Sequence, residues 1–160
     1  MTDPMNLKNA GLRTTQPRLK IMQILQQSAV RHLTADDVYL QLQLQGEEIG
    51  LATVYRVLAQ FESAGLLVRH NFEAGRAIFE PNDGGHHDHF CCVKCGKVFE
   101  FCDVALERRQ QKIADNAGFS IEDHAMNLYG TCKGMVKEGV CSVTEDDPFA
   151  VQGMLRPSET

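Results

Sequence analysis

The chain has 160 residues, is 43% hydrophobic and carries a formal charge of −5, which suits one domain or two small ones with enough apolar chain for a core. No apolar run approaches the roughly 18 residues needed to cross a bilayer, and the first residues, Met1-Thr2-Asp3-Pro4-Met5-Asn6, lack the basic and apolar regions of a signal peptide. The expectation is a cytoplasmic protein with no membrane partner, a compartment where clustered thiols ligate metal rather than pair as disulfides.

The charge is unevenly spread. Residues 1–34 hold five bases against one acid, whereas residues 81–160 hold eight bases against thirteen acids. One end suits a polyanion and the other suits cations. In chain order, Thr15-Gln16-Pro17 opens a helix with Pro in its first turn, where the missing N–H is harmless. Leu19, Met22, Ile24 and Leu25 give it a buried stripe. Thr34 to Asp37 resembles a capping box with Asp in place of Glu, followed inward by Val38, Tyr39 and Leu42 and stopped by Gly46.

A third helix is predicted over 52–64, ending at Gly65. Val54, Val57, Leu58 and Phe61 form its apolar face at the i, i+3, i+4, i+7 spacing. Its other face offers Thr53, Tyr55, Arg56 and Gln60. A tyrosine beside an arginine near a helix start suits contacts with DNA bases and phosphates, although a plain amphipathic helix has the same pattern. Residues 66–70 and 76–80 read as strands joined by a turn at Glu73-Ala74-Gly75. Helices followed by a hairpin describe a winged helix-turn-helix, with 52–64 as the recognition helix.

Pro81-Asn82-Asp83-Gly84-Gly85 is the clearest linker. The expected organisation is a winged-helix DNA-binding domain at 1–80, a hinge at 81–85, a metal-binding domain at 86–143 and a disordered tail at 144–160. The second domain reads as a small α+β unit. Strands are expected at 86–92 and 97–101, a helix over 103–117 closed by Gly118, and further strands at 119–121 and 125–129.

Metal chemistry concentrates in His86-His87-Asp88-His89-Phe90-Cys91-Cys92-Val93-Lys94-Cys95, where six of ten residues are His or Cys. On a strand, side chains alternate faces, so His87 and His89 share one side and His86 and Asp88 the other. One strand can therefore serve two sites, whose imidazole and carboxylate donors suit Fe²⁺, Zn²⁺, Mn²⁺ or Co²⁺. Cys92 and Cys95 form a CxxC, the first half of a tetrahedral four-thiolate zinc site. Cys132 and Cys141 offer the second half through a flexible eight-residue loop, with Cys102 as the alternative fourth thiol. A redox CxxC would normally open a helix, whereas this one runs on into a strand-like segment. Cys91 faces away from Cys92 and reads as a core residue.

Together these segments resemble the ferric uptake regulator family over about residues 7–132. The likeness rests on Gly11-Leu12-Arg13 with Pro17-Arg18, on residues 46–58 (Gly46 to Leu58), on Arg69-His70-Asn71-Phe72-Glu73, and on His86-His87-Asp88-His89 followed by Cys92-Val93-Lys94-Cys95-Gly96-Lys97. The resemblance implies a dimeric repressor, with a tetramer as the alternative. A C-terminal domain would dimerise it on double-stranded DNA. It further implies a regulatory metal site at His32, Glu80, His87 and His89, a second site at His86, Asp88, Glu107 and His124, and structural zinc at Cys92, Cys95, Cys132 and Cys141. It implies minor-groove contact by Arg13 and major-groove contact by Tyr55 and Arg56. Fe²⁺ is the implied co-repressor of iron-uptake genes, and Zn²⁺ or Mn²⁺ is the substitute in a paralogue that senses another metal. The rival from another class is a zinc hydrolase built on the HHDH run. That reading has no HExxH to rest on and leaves the winged helix unused, so the expectation is that the protein is not an enzyme.

Overall fold

A computed structural model describes residues 4–71 and 76–141, which divide into two compact units at Asp83/Gly84. The predicted turn at 73–75 and tail at 144–160 lie outside the described residues.

The first unit runs α1 (Pro4–Asn9), α2 (Gln16–Gln27), β1 (Leu33–Thr34), α3 (Ala35–Leu44), α4 (Leu51–Ser63), β2 (Leu67–Asn71) and β3 (Ala77–Pro81). Thr15 is the N-cap of α2 and Pro17 sits in its first turn. Thr34 caps α3 with a complete capping box: its hydroxyl accepts from the Asp37 N–H at 3.1 Å, and Asp37 Oδ2 accepts from the Thr34 N–H at 2.8 Å. Two of the helix's orphan donors are thereby satisfied. Gly46 closes α3 at φ +75°, a left-handed conformation that costs glycine nothing.

Helix α4 buries Val54, Val57, Leu58 and Phe61, the four positions its periodicity marks. Burying each stabilises the unit by about 1.5–3 kcal/mol. They meet Ile21, Ile24 and Leu25 of α2 and Val38 and Leu42 of α3 in one core, which Leu7 of α1 also enters. Helix α1 and the buried Ile21 escape the sequence reading. Three strands complete the unit in the order β1-β3-β2, all antiparallel, with Val68 opposite Glu80 and His70 opposite Ile78. This is the predicted winged helix-turn-helix.

The second unit runs β4 (Asp88–Cys92), β5 (Val98–Phe101), α5 (Val104–Ala117), β6 (Asn127–Gly130) and α6 (Lys133–Lys137). Central β4 pairs antiparallel with β5 and parallel with β6. Asp103 caps α5 by accepting from the Ala105 and Leu106 N–H groups.

Two expectations fail here. Residues 119–121 form no strand. Gly118 turns left-handed at φ +76°, and the Phe119 N–H folds back to the Ala114 carbonyl at 2.9 Å, so the segment terminates α5. The span between Cys132 and Cys141 is also more than a flexible loop, because five of its residues wind into α6.

Candidate functional site

The two units hold the predicted ligands in four groupings. In the first unit, Glu80 on β3 is 2% exposed, and its two carboxylate oxygens take separate partners: His32 Nε2 lies 2.9 Å from Oε2 and His70 Nε2 lies 2.9 Å from Oε1. His32 precedes β1, and β1 pairs with β3, so the sheet itself brings His32 toward Glu80. A carboxylate this buried is retained only where imidazoles or a cation satisfy it.

In the second unit His87 falls with His89 and His86 with Asp88, as expected, although β4 itself starts only at Asp88 and the two preceding histidines lie before the strand. The rings of His87 and His89 meet edge-on with centroids 5.0 Å apart. Glu100 on β5 stands opposite His89 in the strand register, and its Oε1 lies 3.6 Å from His87 Nε2. Sequence reasoning missed Glu100. The signal was an acid in the apolar strand Val98-Phe99-Glu100-Phe101.

On the other side, His86, Asp88, Glu107 and His124 each bring one donor atom within 4.8 Å of the others. Glu107 Oε1 lies 3.3 Å from His86 Nε2 and Glu107 Oε2 3.2 Å from His124 Nε2. Asp88 is 1% exposed: Oδ1 accepts from the Met126 N–H at 2.9 Å, while Oδ2 is buried with no hydrogen-bond partner among the described residues. An orphaned carboxylate oxygen beside two imidazoles fits a divalent cation, which would satisfy it.

The thiols of Cys92, Cys95 and Cys132 likewise lie within 4.8 Å of one another, and Cys132 Sγ is 3.7 Å from Cys141 Sγ. That separation is close to the edge, about 3.8 Å, of a tetrahedron with metal–sulfur bonds of about 2.3 Å. Helix α6 explains how distant cysteines meet, since its rise of about 1.5 Å per residue shortens the span. Cys102 is buried beyond the end of β5 and outside this cluster. Burial pushes the Cys92 thiol up, but the N–H groups of Cys132, Cys95 and Lys94 together outweigh it and bring the pKa down to about 6. Burial, aided by the neighbouring thiols of Cys92 and Cys141, raises Cys95 to about 12. Opposite shifts in the two thiols of the CxxC are what a cluster competing for negative charge gives, and zinc would allow all four to ionise.

The predicted DNA-contacting residues gather on the first unit. Arg13, Thr15, Arg18, Thr53, Arg56 and Gln60 line a cleft of about 360 Å³ between the start of α2 and the outer face of α4. Three guanidinium groups line it and no carboxylate does, an arrangement that favours a polyanion. Tyr55, on the same helix, is half exposed.

A winged helix bearing an arginine-lined cleft, followed by an α/β unit with thiolate and imidazole–carboxylate clusters, defines a metal-binding, DNA-binding transcription regulator. The sequence profile of the ferric uptake regulator family matches residues 9–129, and the chain belongs to that family. Its members are transcription factors and not enzymes. A ferric uptake regulation protein of Cupriavidus metallidurans is 58% identical over 132 residues, covering 82% of this chain and 92% of that protein. The ferric uptake regulator of Vibrio cholerae superposes with a TM-score of 0.76 at 49% identity, covering 80% of this chain and 98% of that one. The regulator from Pseudomonas aeruginosa, solved with manganese, gives 0.70 at 50% identity, covering 83% and 99%.

Proposed function

We propose that this protein is a repressor of iron-uptake genes for which Fe²⁺ is the co-repressor, binding a palindromic operator in double-stranded DNA as a homodimer in the cytoplasm. The observation that carries this reading is the buried His32–Glu80 pair at 2.9 Å, because an imidazole and a carboxylate that suit a divalent cation meet inside the winged-helix unit. In this reading His32 and Glu80 serve with His87 and His89 as ligands of one regulatory ion, and Glu100 on β5 stands beside His87 and His89. Bound there, the ion supplies a coordination preference that a single arrangement of the two units satisfies. Zn²⁺ or Mn²⁺ suits the same donors.

The remaining residues take supporting roles. His86, Asp88, Glu107 and His124 hold a second ion. Cys92, Cys95, Cys132 and Cys141 hold structural Zn²⁺, which ties the β4–β5 turn to the segment after β6. Residues 1–80 read the DNA, 86–143 dimerise and bind metal, and 81–85 act as the hinge. Arg13 enters the minor groove, Tyr55 and Arg56 read the major groove, and Thr53 contacts the backbone. Ile113, Phe119, Leu128 and Tyr129 leave apolar surface on the second unit, and all four residues of β6 are exposed, which supports a second copy as the partner. Without the regulatory ion the two units sample several arrangements. With it, the population shifts to the one that matches two DNA half-sites.

Anaerobic titration of a fluorescent operator duplex with the zinc-loaded protein, with and without added Fe²⁺, tests this. A gain of about 5- to 150-fold in affinity is expected from a coupling of ordinary size. Equal affinity in the two titrations would refute the reading.

A further inference from the structure

Three arginines line the cleft, but they are not equivalent. Arg18, in the first turn of α2, commits its guanidinium internally. Its Nε and one terminal nitrogen both donate to Gln60 Oε1 on α4, at 3.2 and 2.9 Å, and its other terminal nitrogen donates to the Arg13 carbonyl at 2.6 Å. A planar fork of fixed donors is what allows one side chain to hold two elements at once, and a lysine ammonium would not reproduce it. The side chains of Arg13 and Arg56 make no ion pair with any described carboxylate, and they remain available to a polyanion.

We infer that Arg18 is a positioning residue: it clamps the segment before α2, and with it Arg13, to the recognition helix α4, so that the two DNA-reading elements enter their grooves in fixed register. Three observations carry this. The bonds run from α2 to residue 60 on α4 and to the backbone of residue 13, adding polar ties to parts of the chain whose apolar residues meet in the core. The acceptors are an amide and a carbonyl rather than a carboxylate, so the guanidinium is oriented while its charge stays unneutralised. Among the described residues, the segment after α1 is otherwise held by the Gly11 N–H to the Lys8 carbonyl at 2.9 Å, the Leu12 N–H to the Leu7 carbonyl at 2.8 Å and the packing of Leu12 on the core, none of which ties it to α4 by a hydrogen bond. Reading two grooves with one rigid body removes ordering that would otherwise accompany binding. The inference rests on the DNA-binding reading above and adds a division of labour among its arginines.

Gln60→Ala tests it without changing charge, beside Arg18→Gln, the double variant and Arg13→Ala. The first readout is amide hydrogen exchange of residues 10–15 in the DNA-free protein. Gln60→Ala and Arg18→Gln should each speed it, with the melting transition of the unit retained. The second is operator affinity across a salt series. Gln60→Ala should weaken operator binding by about 5- to 30-fold, the double variant should be no weaker than Arg18→Gln, and the salt slope of Gln60→Ala should match the wild type. Arg13→Ala should reduce the slope by about 0.9 for each chain that contacts the DNA. Unchanged exchange in both variants would overturn the clamp whatever the DNA result. Wild-type affinity in Gln60→Ala, combined with a reduced slope in Arg18→Gln, would overturn it in favour of a direct phosphate contact by Arg18. Failure of the wild-type protein to bind the operator would instead refute the function, and with it the clamp's role in reading DNA.

Discussion

Glu100 faces His89 across the β4–β5 ladder, and its carboxylate reaches the ring of His87 at 3.6 Å. It therefore touches one proposed regulatory ligand, His87, and stands beside a second, His89. Its removal takes away the carboxylate that lies 3.6 Å from the His87 ring, whether that group coordinates the ion or orients the imidazoles. Glu100→Ala is expected to weaken regulatory metal binding by about 10- to 100-fold and to leave the zinc content of the thiol site intact. Competition against a chromophoric chelator measures the first and elemental analysis the second. Unaltered metal affinity would remove Glu100 from the site.

The thiol cluster gives a sharper contrast. Cys141 lies 3.7 Å from Cys132, whereas Cys102 is buried elsewhere in the unit. Cys141→Ser should lose the tightly held zinc and much of the second unit's stability, since such metal contributes folding free energy directly. Cys102→Ser should keep one zinc per chain. The reverse pattern in elemental analysis would reassign the fourth ligand.

Cys91 and Cys92 adjoin on β4 and are about equally buried, yet their thiols titrate in opposite directions, Cys91 up to about 11 by burial and Cys92 down to about 6. After zinc is chelated, alkylation at pH 7.5 followed by peptide mass mapping should label Cys92 well before Cys91, because only the thiolate reacts. The stability effects also oppose. The Cys92 contribution is present in full above the ordinary thiol value of 9.0 and is lost as pH falls through about 6. The Cys91 contribution is present in full below 9.0 and is lost as pH rises through about 11. Equal labelling rates would contradict the assignment.

The capping box at Thr34 makes a prediction about the fold alone. Thr34→Ala removes the hydroxyl that accepts from the Asp37 N–H and should destabilise the first unit by about 1 kcal/mol. Urea denaturation of the metal-free protein measures it, and a midpoint equal to that of the wild type would show that the cap contributes nothing.

Much of the first unit was legible because periodicity and end signals agree there. Val54, Val57, Leu58 and Phe61 mark one face of α4, and Thr34 and Asp37 mark the start of α3. The two-residue alternation likewise parted His86 and Asp88 from His87 and His89, even though the strand begins only at Asp88. What escaped depends on tertiary context. Leu7 on the short α1 has no periodic partners in sequence and is buried only because α1 packs on the core. Phe119-Ser120-Ile121 is apolar enough for a strand, but the left-handed Gly118 before it turns the chain back onto α5. Glu100 becomes a site residue only through the register that sets it opposite His89, and Arg18 becomes a clamp only through Gln60, 42 residues away.

The central claim is that ligands from both units hold one ion and that this ion controls DNA binding. The most direct measurement is Fe²⁺-dependent operator affinity for His32→Ala and for His89→Ala, one substitution in each unit, with zinc retention checked in parallel. The account predicts that each variant keeps its structural zinc and loses the Fe²⁺-dependent gain, binding DNA as the iron-free wild type does. A full Fe²⁺ response in either variant would contradict it.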